Sequence, residues 1–276
     1  MSGKVWLITG ASSGFGRAIA EAAVEAGDRV VAAARRTETL DDLVRAHPRQ
    51  VVPVRLDVTD HDAIRTTVAN VIAEEGRIDV LVNNAGRSHV GAVEETTDEE
   101  LRSLFEVHVF GPAALTRAVL PHMRERQEGA IVQMSSIGGQ LSFAGFGAYS
   151  ATKCALEGLS EALADEVKSF GIKVLIVEPG SFRTSLFSGY SASAQSGVYV
   201  DSADKTRQMI SANAGLQPGD PRKAAAAVLT ALEAAETPLR LPLGSDAVDG
   251  LLAHLNEVKA EIELWKKVSR DTQLDG

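Results

Sequence analysis

Seven short runs of apolar, β-branched-rich residues recur along the chain with helical stretches between them, and this alternation limits the fold more than any other feature. The runs are Val5–Thr9, Arg29–Ala34, Val51–Arg55, Ile78–Asn83, Gly129–Met134, Ile172–Glu178 and Leu239–Leu243, each of strand length. They are almost wholly apolar, the pattern of a parallel sheet covered by helices on both faces. Between the first two, Ile19, Ala22, Ala23 and Ala26 fall at helical spacing in Gly14–Ala26, which Gly27 closes. Between the third and fourth, Ile64, Val68, Val71 and Ile72 share one face of Asp60–Glu74. Repeated βα units predict an α/β fold with a doubly wound parallel sheet of about seven strands. No repeat, low-complexity tract or linker divides the 276 residues, so a single domain is expected. The Ser/Ala/Gly-rich stretch Ser188–Gly197 reads as a mobile loop, and Leu255–Val268, with Trp265, as an amphipathic helix covering the core or a neighbouring subunit.

Polar or glycine-rich residues follow the ends of the first six runs. They are Thr9-Gly-Ala-Ser-Ser-Gly-Phe-Gly16, Arg35-Arg36, Asp57-Val58, Asn83-Asn-Ala-Gly86, Ser135-Ser136 and Pro179-Gly180. Ligands of open α/β sheets bind outside the carboxyl ends of the strands, so these six signals converge on one crevice. Gly10, Gly14 and Gly16 allow a tight turn between strand and helix and the close approach of a pyrophosphate to backbone N–H groups. At the end of the second run, an NAD site would place an acid on the ribose 2′-hydroxyl about 20 residues beyond the glycines. Ala34 stands there instead, followed by Arg35 and Arg36. Guanidinium forks match the 2′-phosphate of NADP(H); the alternative is a solvated pair of surface arginines. Asp57 is placed either to hydrogen-bond the adenine edge or to cap the helix that begins near Asp60.

Tyr149 and Lys153 are four residues apart, which on a helix puts phenol and ammonium on one face. A phenol with a pKa of about 10 is a poor base at neutral pH, and an ammonium beside it stabilises the phenolate. Tyr149 thereby becomes a candidate general acid/base. Ser136 could hydrogen-bond a substrate oxygen or merely satisfy backbone. The six histidines are scattered without metal-ligand spacing, so no metal site is expected.

Taken together, these residues resemble the short-chain dehydrogenase/reductase family. The matching elements run in order over residues 5 to about 186: Thr-Gly-Ala-Ser-Ser-Gly-Phe-Gly at 9–16, Asn-Asn-Ala-Gly at 83–86, Ser136 with Tyr149 and Lys153, and Pro179-Gly180 with Thr184. The stretch Val177–Thr184 is most similar to members grouped with the 17β-hydroxysteroid dehydrogenases. The resemblance implies a Rossmann-like fold and an NADP(H)-dependent oxidoreductase that interconverts an alcohol and a carbonyl. Tyr149 would be the acid/base, Ser136 would position the substrate, and Lys153 would also bind the nicotinamide ribose. Ser12, Ser13 and Phe15 would join the three glycines at the cofactor, with Val58 beside Asp57 at the adenine. Asn83, Ala85 and Gly86 would line the adenosine side and support the central strand. Pro179, Gly180, Phe182 and Thr184 would hold the carboxamide. Residues 1–185 would form the cofactor-binding and catalytic core, 186–217 a substrate lid, and 218–276 the C-terminal helices and last strand. Many members carry an Asn that supports a water chain in a stretch resembling Val-Asn-Val-x-Gly. Here Val107-His108-Val109-Phe110-Gly111 stands in its place, so His108 either relays protons or is a core histidine with satisfied hydrogen bonds.

Composition narrows the partners. With 28 Lys+Arg against 37 Asp+Glu, the net charge of −9 opposes nucleic-acid and anionic membrane surfaces. No apolar run is long enough to span a bilayer. The single cysteine, Cys154, allows no internal disulfide and reads as a small buried residue; a cytoplasmic setting is expected. Ile137, Leu141, Phe143 and Phe146, with Phe187, Tyr190, Tyr199, Met209 and Ile210, predict a largely apolar pocket for a small hydrophobic carbonyl or alcohol. A homo-oligomer, dimer or tetramer, is expected from the resemblance. A second class of function is an NADP(H)-binding redox sensor without turnover. A nucleotide-sugar epimerase fits less well, because only about 90 residues follow Thr184.

Overall fold

The computed structural model describes residues 3–186 and 189–274, so Phe187 and Ser188 of the expected pocket and loop lie outside the described residues. The strands are β1 (Val5–Thr9), β2 (Arg29–Ala34), β3 (Val51–Arg55), β4 (Val80–Asn83), β5 (His89–Val90), β6 (Gly129–Met134), β7 (Ile172–Pro179), β8 (Ser191–Ala192) and β9 (Arg240–Leu243). Seven of them form one sheet in the order β3-β2-β1-β4-β6-β7-β9, every pair parallel. The chain winds outward from β1 to β3, then returns to place β4 on the other side of β1. The carboxyl ends of β1 and β4 therefore flank the point where the winding reverses, which opens a crevice there. The helices are α1 (Gly14–Glu25), α2 (Asp41–Ala46), α3 (His61–Glu75), α4 (Asp98–Phe105), α5 (Gly111–Arg126), α6 (Gly147–Val167), α7 (Ala203–Ala212), α8 (Pro221–Glu233) and α9 (Ser245–Arg270).

Alternation along each strand divides the interior into two cores. Trp6, Ile8, Val30, Val80, Val82 and Val132 face α1, α2 and α8. Leu7, Val31, Ala33, Leu81 and Ile131 face α3, α5 and α6 on the opposite side. Both sets are apolar because both faces are covered, which is why the strands read as unbroken apolar runs. Asp60, not Asp57, caps α3, its carboxylate accepting from the N–H groups of Asp62 and Ala63. Between α4 and α5 the backbone widens into a π-helical turn, Glu106–Phe110, which carries His108.

Three expectations change. Ser188–Gly197 is not a free loop: within its described part, Ser191 and Ala192 pair with His89 and Val90, and Ser191 and Ser193 hydroxyls flank the buried His89 ring at 2.9 Å each. Cys154 is exposed, because the turn that aims Lys153 inward carries its neighbour about 100° round α6 to the outer face. The Leu255–Val268 segment does not cover this chain's core. Only Ala247 and Leu251 of α9 are buried, while Leu255, Ile262 and Trp265 are 52%, 62% and 60% exposed. No helix among the described residues is long and apolar enough to cross a membrane.

Candidate active site

The glycine turn after β1 is shaped by backbone needs and by one asparagine. Gly10 and Gly14 have φ of 65° and 56°, the left-handed region that side chains disfavour. Gly16 is required for a different reason: a Cβ there would lie 2.4 Å from both Gly10 O and Asn84 Nδ2. Asn84, at the end of β4, donates to Thr9 O at 2.9 Å and Gly10 O at 3.2 Å, and so braces the turn. Thr9 Oγ1 in return accepts from the N–H groups of Asn84 and Ala85. Asn84, rather than Asn83, is the asparagine that turns toward the glycines. Asn83 is buried in the sheet, donating to Gln133 Oε1 at 3.0 Å, and supports the central strand. The Ser13 side chain makes no capping bond to α1; its hydroxyl accepts from Ser185 instead, at 3.1 Å. Phe15 packs on Phe182 with ring centroids 5.1 Å apart, and Gly14 lies against Thr184. A cleft of about 310 Å³ opens here between Ser13–Gly14 and Arg183–Ser185. Gly180 donates to Leu243 O at 2.9 Å, which ties the turn after Pro179 to β9. Gly16→Ala is expected to distort the turn, lower stability by about 1–3 kcal/mol and weaken dinucleotide binding; thermal melting and a binding titration check both.

Arg35 and Arg36 leave the end of β2 exposed, and neither guanidinium has a hydrogen bond or ion pair among the described residues. Asp57 bends back on its own loop, accepting from Thr59 N and Thr59 Oγ1 at 3.0 and 2.8 Å. The Thr59 N–H chiefly, aided by its hydroxyl and by Arg35, holds the Asp57 carboxyl below its ordinary range against the opposing effect of burial. Val58 is buried beside it.

Tyr149 and Lys153 share the buried face of α6, with exposures of 7% and 6%. Lys153 Nζ lies 5.7 Å from the Tyr149 ring centre and donates to Met134 O at 2.7 Å. The Ser136 hydroxyl, on the loop after β6, is hydrogen-bonded to the Tyr149 phenol and accepts from Gly138 N at 3.1 Å. Ser136 thus meets Tyr149 and Lys153, because β6 and α6 deliver them to the same end of the sheet. Burial acts strongly on both ionisable groups. It pushes the Tyr149 phenol up to about 12, only partly opposed by the Ser136 hydrogen bond. It pushes the Lys153 ammonium down to about 8, with Glu157 acting in the opposite sense. The expected lowering of Tyr149 by Lys153 does not appear in this structure, where burial dominates and Ser136 alone opposes it.

His108 meets this cluster edge-on, its ring 5.6 Å from that of Tyr149 at 87°. The Thr152 hydroxyl donates to Tyr149 O at 2.7 Å, so it accepts from His108 Nδ1 at 2.8 Å, and His108 Nε2 accepts from Arg87 N at 3.1 Å. Both ring nitrogens are engaged and burial holds the imidazole well below its ordinary pKa. The hydrogen-bond satisfaction expected of a core histidine is present at His108.

Part of the segment beyond β7 is held to the turn before α4 by charge. Arg207 on α7 pairs with Glu95 at 3.0 Å and Asp204 at 2.9 Å, all three deeply buried. Glu95 also accepts from Ser196 N and Ser196 Oγ at 2.8 Å each. Exposed Val93, Val198 and Met209 stand on the segments joined by these contacts, and exposed Phe143 on the loop before α6.

Comparison with known proteins matches residues 4–195 to the short chain dehydrogenase family. The chain is 38% identical to the oxidoreductase BOA17 of Botryotinia fuckeliana, over 96% of this chain and 98% of that protein. It is 41% identical to a 3-ketodihydrosphingosine reductase of Bacteroides thetaiotaomicron, over 74% and 73% of the two chains. Among solved structures, a short-chain dehydrogenase from Streptomyces avermitilis is similar with 63% identity and a TM-score of 0.92, over 98% of this chain and 100% of that one. A family member from Burkholderia phymatum in complex with NAD has 26% identity and a TM-score of 0.83, covering 95% of each chain. One from Burkholderia cenocepacia in complex with NADP has 26% identity and a TM-score of 0.75, covering 95% and 97%. With the fold, the glycine turn and these similarities agreeing, the chain belongs to the short-chain dehydrogenase/reductase family, as an oxidoreductase.

Proposed function

We propose that this oxidoreductase interconverts an alcohol and a ketone or aldehyde with NADP(H), using Tyr149 as acid/base. The observation that carries the reading is the meeting of the half-buried Ser136 hydroxyl with the buried Tyr149 phenol and Lys153 ammonium at the carboxyl end of the sheet, where the glycine turn also lies. The residues at the crevice fit a dinucleotide phosphate. The turn leaves no room for a Cβ at Gly16, and two unpaired guanidinium groups stand at the end of β2. Gly10, Ser12, Ser13, Gly14, Phe15 and Gly16 would hold the pyrophosphate, and Arg35 and Arg36 the 2′-phosphate. Asp57, Val58, Asn83, Ala85 and Gly86 would border the adenosine, Pro179, Gly180, Phe182 and Thr184 the carboxamide, and Lys153 the ribose. When bound, NADPH supplies the hydride. In the reductive direction Ser136 orients the substrate oxygen and Tyr149 gives it a proton. Lys153, as an ammonium, stabilises the negative charge then left on the phenol oxygen.

The exposed apolar side chains of Val93, Phe143, Val198 and Met209 favour a hydrophobic carbonyl, with residues 186–217 serving as its lid. The unpaired Cys154 fits a reducing, cytoplasmic setting. The exposed apolar residues of α9 favour a homo-oligomer; sedimentation analysis is expected to give a mass above 29.2 kDa. The deciding experiment is a screen of aldehydes, ketones and secondary alcohols followed by NADPH fluorescence. Oxidation of NADPH by apolar carbonyls is expected, whereas tight NADPH binding with no turnover of any compound would overturn the reading.

A further inference from the structure

Behind Lys153 lies a buried cluster of charges that the reaction proposed above does not use. Glu157 follows Lys153 by one turn of α6, so the two project from the same face, and it is only 3% exposed. Its carboxylate accepts from Ser135 Oγ at 2.5 Å and from Arg240 of β9. The same guanidinium donates to Glu178, fully buried near the end of β7, at 2.6 Å and to Glu161 at 2.6 Å. Gln140 also donates to Glu178 at 2.6 Å, while the second Glu178 oxygen has no partner among the described residues. The loop after β6 is shaped around this carboxylate: a Cβ on Gly139 would lie 1.8 Å from Glu157 Oε1.

A buried carboxylate is costly, and an apolar side chain of similar size packs as well. Its place here makes sense through Lys153. That ammonium has one hydrogen bond among the described residues, to the Met134 carbonyl, which is a weaker hold on a proton in a buried site than a neighbouring anion. We propose that Glu157 is a positioning residue for this reaction: its carboxylate, fixed by Ser135 and Arg240, keeps Lys153 protonated and fastens the Tyr149–Lys153 helix to the strand end that carries Ser136. The inference rests on the role given to Lys153 above. The titratable and charged groups around Lys153 are Tyr149 and Glu157 on its own helix, His108 from the π-helical turn, and, joined to Glu157, Glu178 from β7 and Arg240 from β9. His108 is neutral, so among these groups Glu157 is the anion that acts on Lys153 directly. Burial raises the Glu157 carboxyl above its ordinary range, while Ser135 and Arg240 work to keep it ionised against burial and Glu178.

The test uses the full chain and Glu157→Gln, which keeps the shape and can still accept from Ser135 but removes the charge. The Lys153 side chain is followed by NMR of protein labelled at lysine, its signal identified by its loss in Lys153→Arg. In Glu157→Gln the Lys153 titration midpoint is expected to fall by about one pH unit or more, and the alkaline decline of turnover to move down with it. Glu157→Asp keeps the charge but draws it back by one methylene; a smaller fall is expected there, so this variant reads the proposal even if the Gln variant does not fold. Reduced turnover with an unmoved Lys153 midpoint would show a structural role only and overturn the proposal. Because the NMR titration needs no substrate, a shifted midpoint in a protein that turns over no carbonyl would instead refute the reading of its function.

Discussion

Tyr149→Phe is expected to lower turnover by about 10²–10⁴-fold while NADPH binding changes by no more than a few-fold. The substitution removes one oxygen and keeps the ring. The edge-on contacts with His108 and Phe146 at 5.6 and 6.1 Å survive, so the melting temperature should move little. What is lost is the proton donor, and with it the hydrogen bond to Ser136. No neighbouring group replaces it. His108 has both nitrogens committed, and Lys153 is turned to the Met134 carbonyl. Steady-state rates with the carbonyl found in the screen, beside a fluorescence titration of NADPH, separate chemistry from binding. Unchanged turnover would remove Tyr149 from the mechanism.

Arg35→Ala combined with Arg36→Ala is expected to weaken NADP(H) about 100-fold and NAD(H) only slightly. A charge-assisted hydrogen bond contributes about 1.5–3 kcal/mol. Both side chains are exposed, so the lower figure applies to each, and about 3 kcal/mol corresponds to roughly 100-fold. Neither guanidinium has a hydrogen bond or ion pair among the described residues, so beyond the 2′-phosphate the substitutions remove only the charge that Arg35 places near Asp57. Calorimetric titration of the variant with both dinucleotides is the check, and added salt should narrow the difference between them in the unaltered protein. Equal losses for NADP(H) and NAD(H) would mean that the pair does not recognise the 2′-phosphate. The comparison is informative because similar structures hold NAD in one case and NADP in another.

The strands were legible in the sequence because burial on both faces writes itself locally as an unbroken apolar run. Val5–Thr9, Arg29–Ala34, Val51–Arg55 and Gly129–Met134 begin and end where the sequence places them. Ile78 and Asp79 fall outside β4 although Ile78 is buried, since apolarity reports burial and not strand pairing. The glycine turn was legible for a related reason: left-handed backbone and close approach both demand glycine. Asn84 was not, because in an Asn-Asn pair the side chain that turns toward the glycines is decided by the pleat at the strand end. The two-residue strands β5 and β8 carry no local signal. They exist because His89 and Arg207 supply contacts between segments about a hundred residues apart.

The sequence by itself determined the doubly wound sheet, the crevice at its strand ends and the residue types gathered there, since each follows from local periodicity, glycine geometry and side-chain chemistry. Tertiary structure alone decided the electrical state of that site. The phenol of Tyr149 and the ammonium of Lys153 are each displaced by burial, His108 is neutral with both nitrogens bonded, and a carboxylate held by Ser135 and a distant Arg240 sits behind the lysine. Charge in a protein interior depends on what surrounds a group in three dimensions, and no spacing along the chain records that.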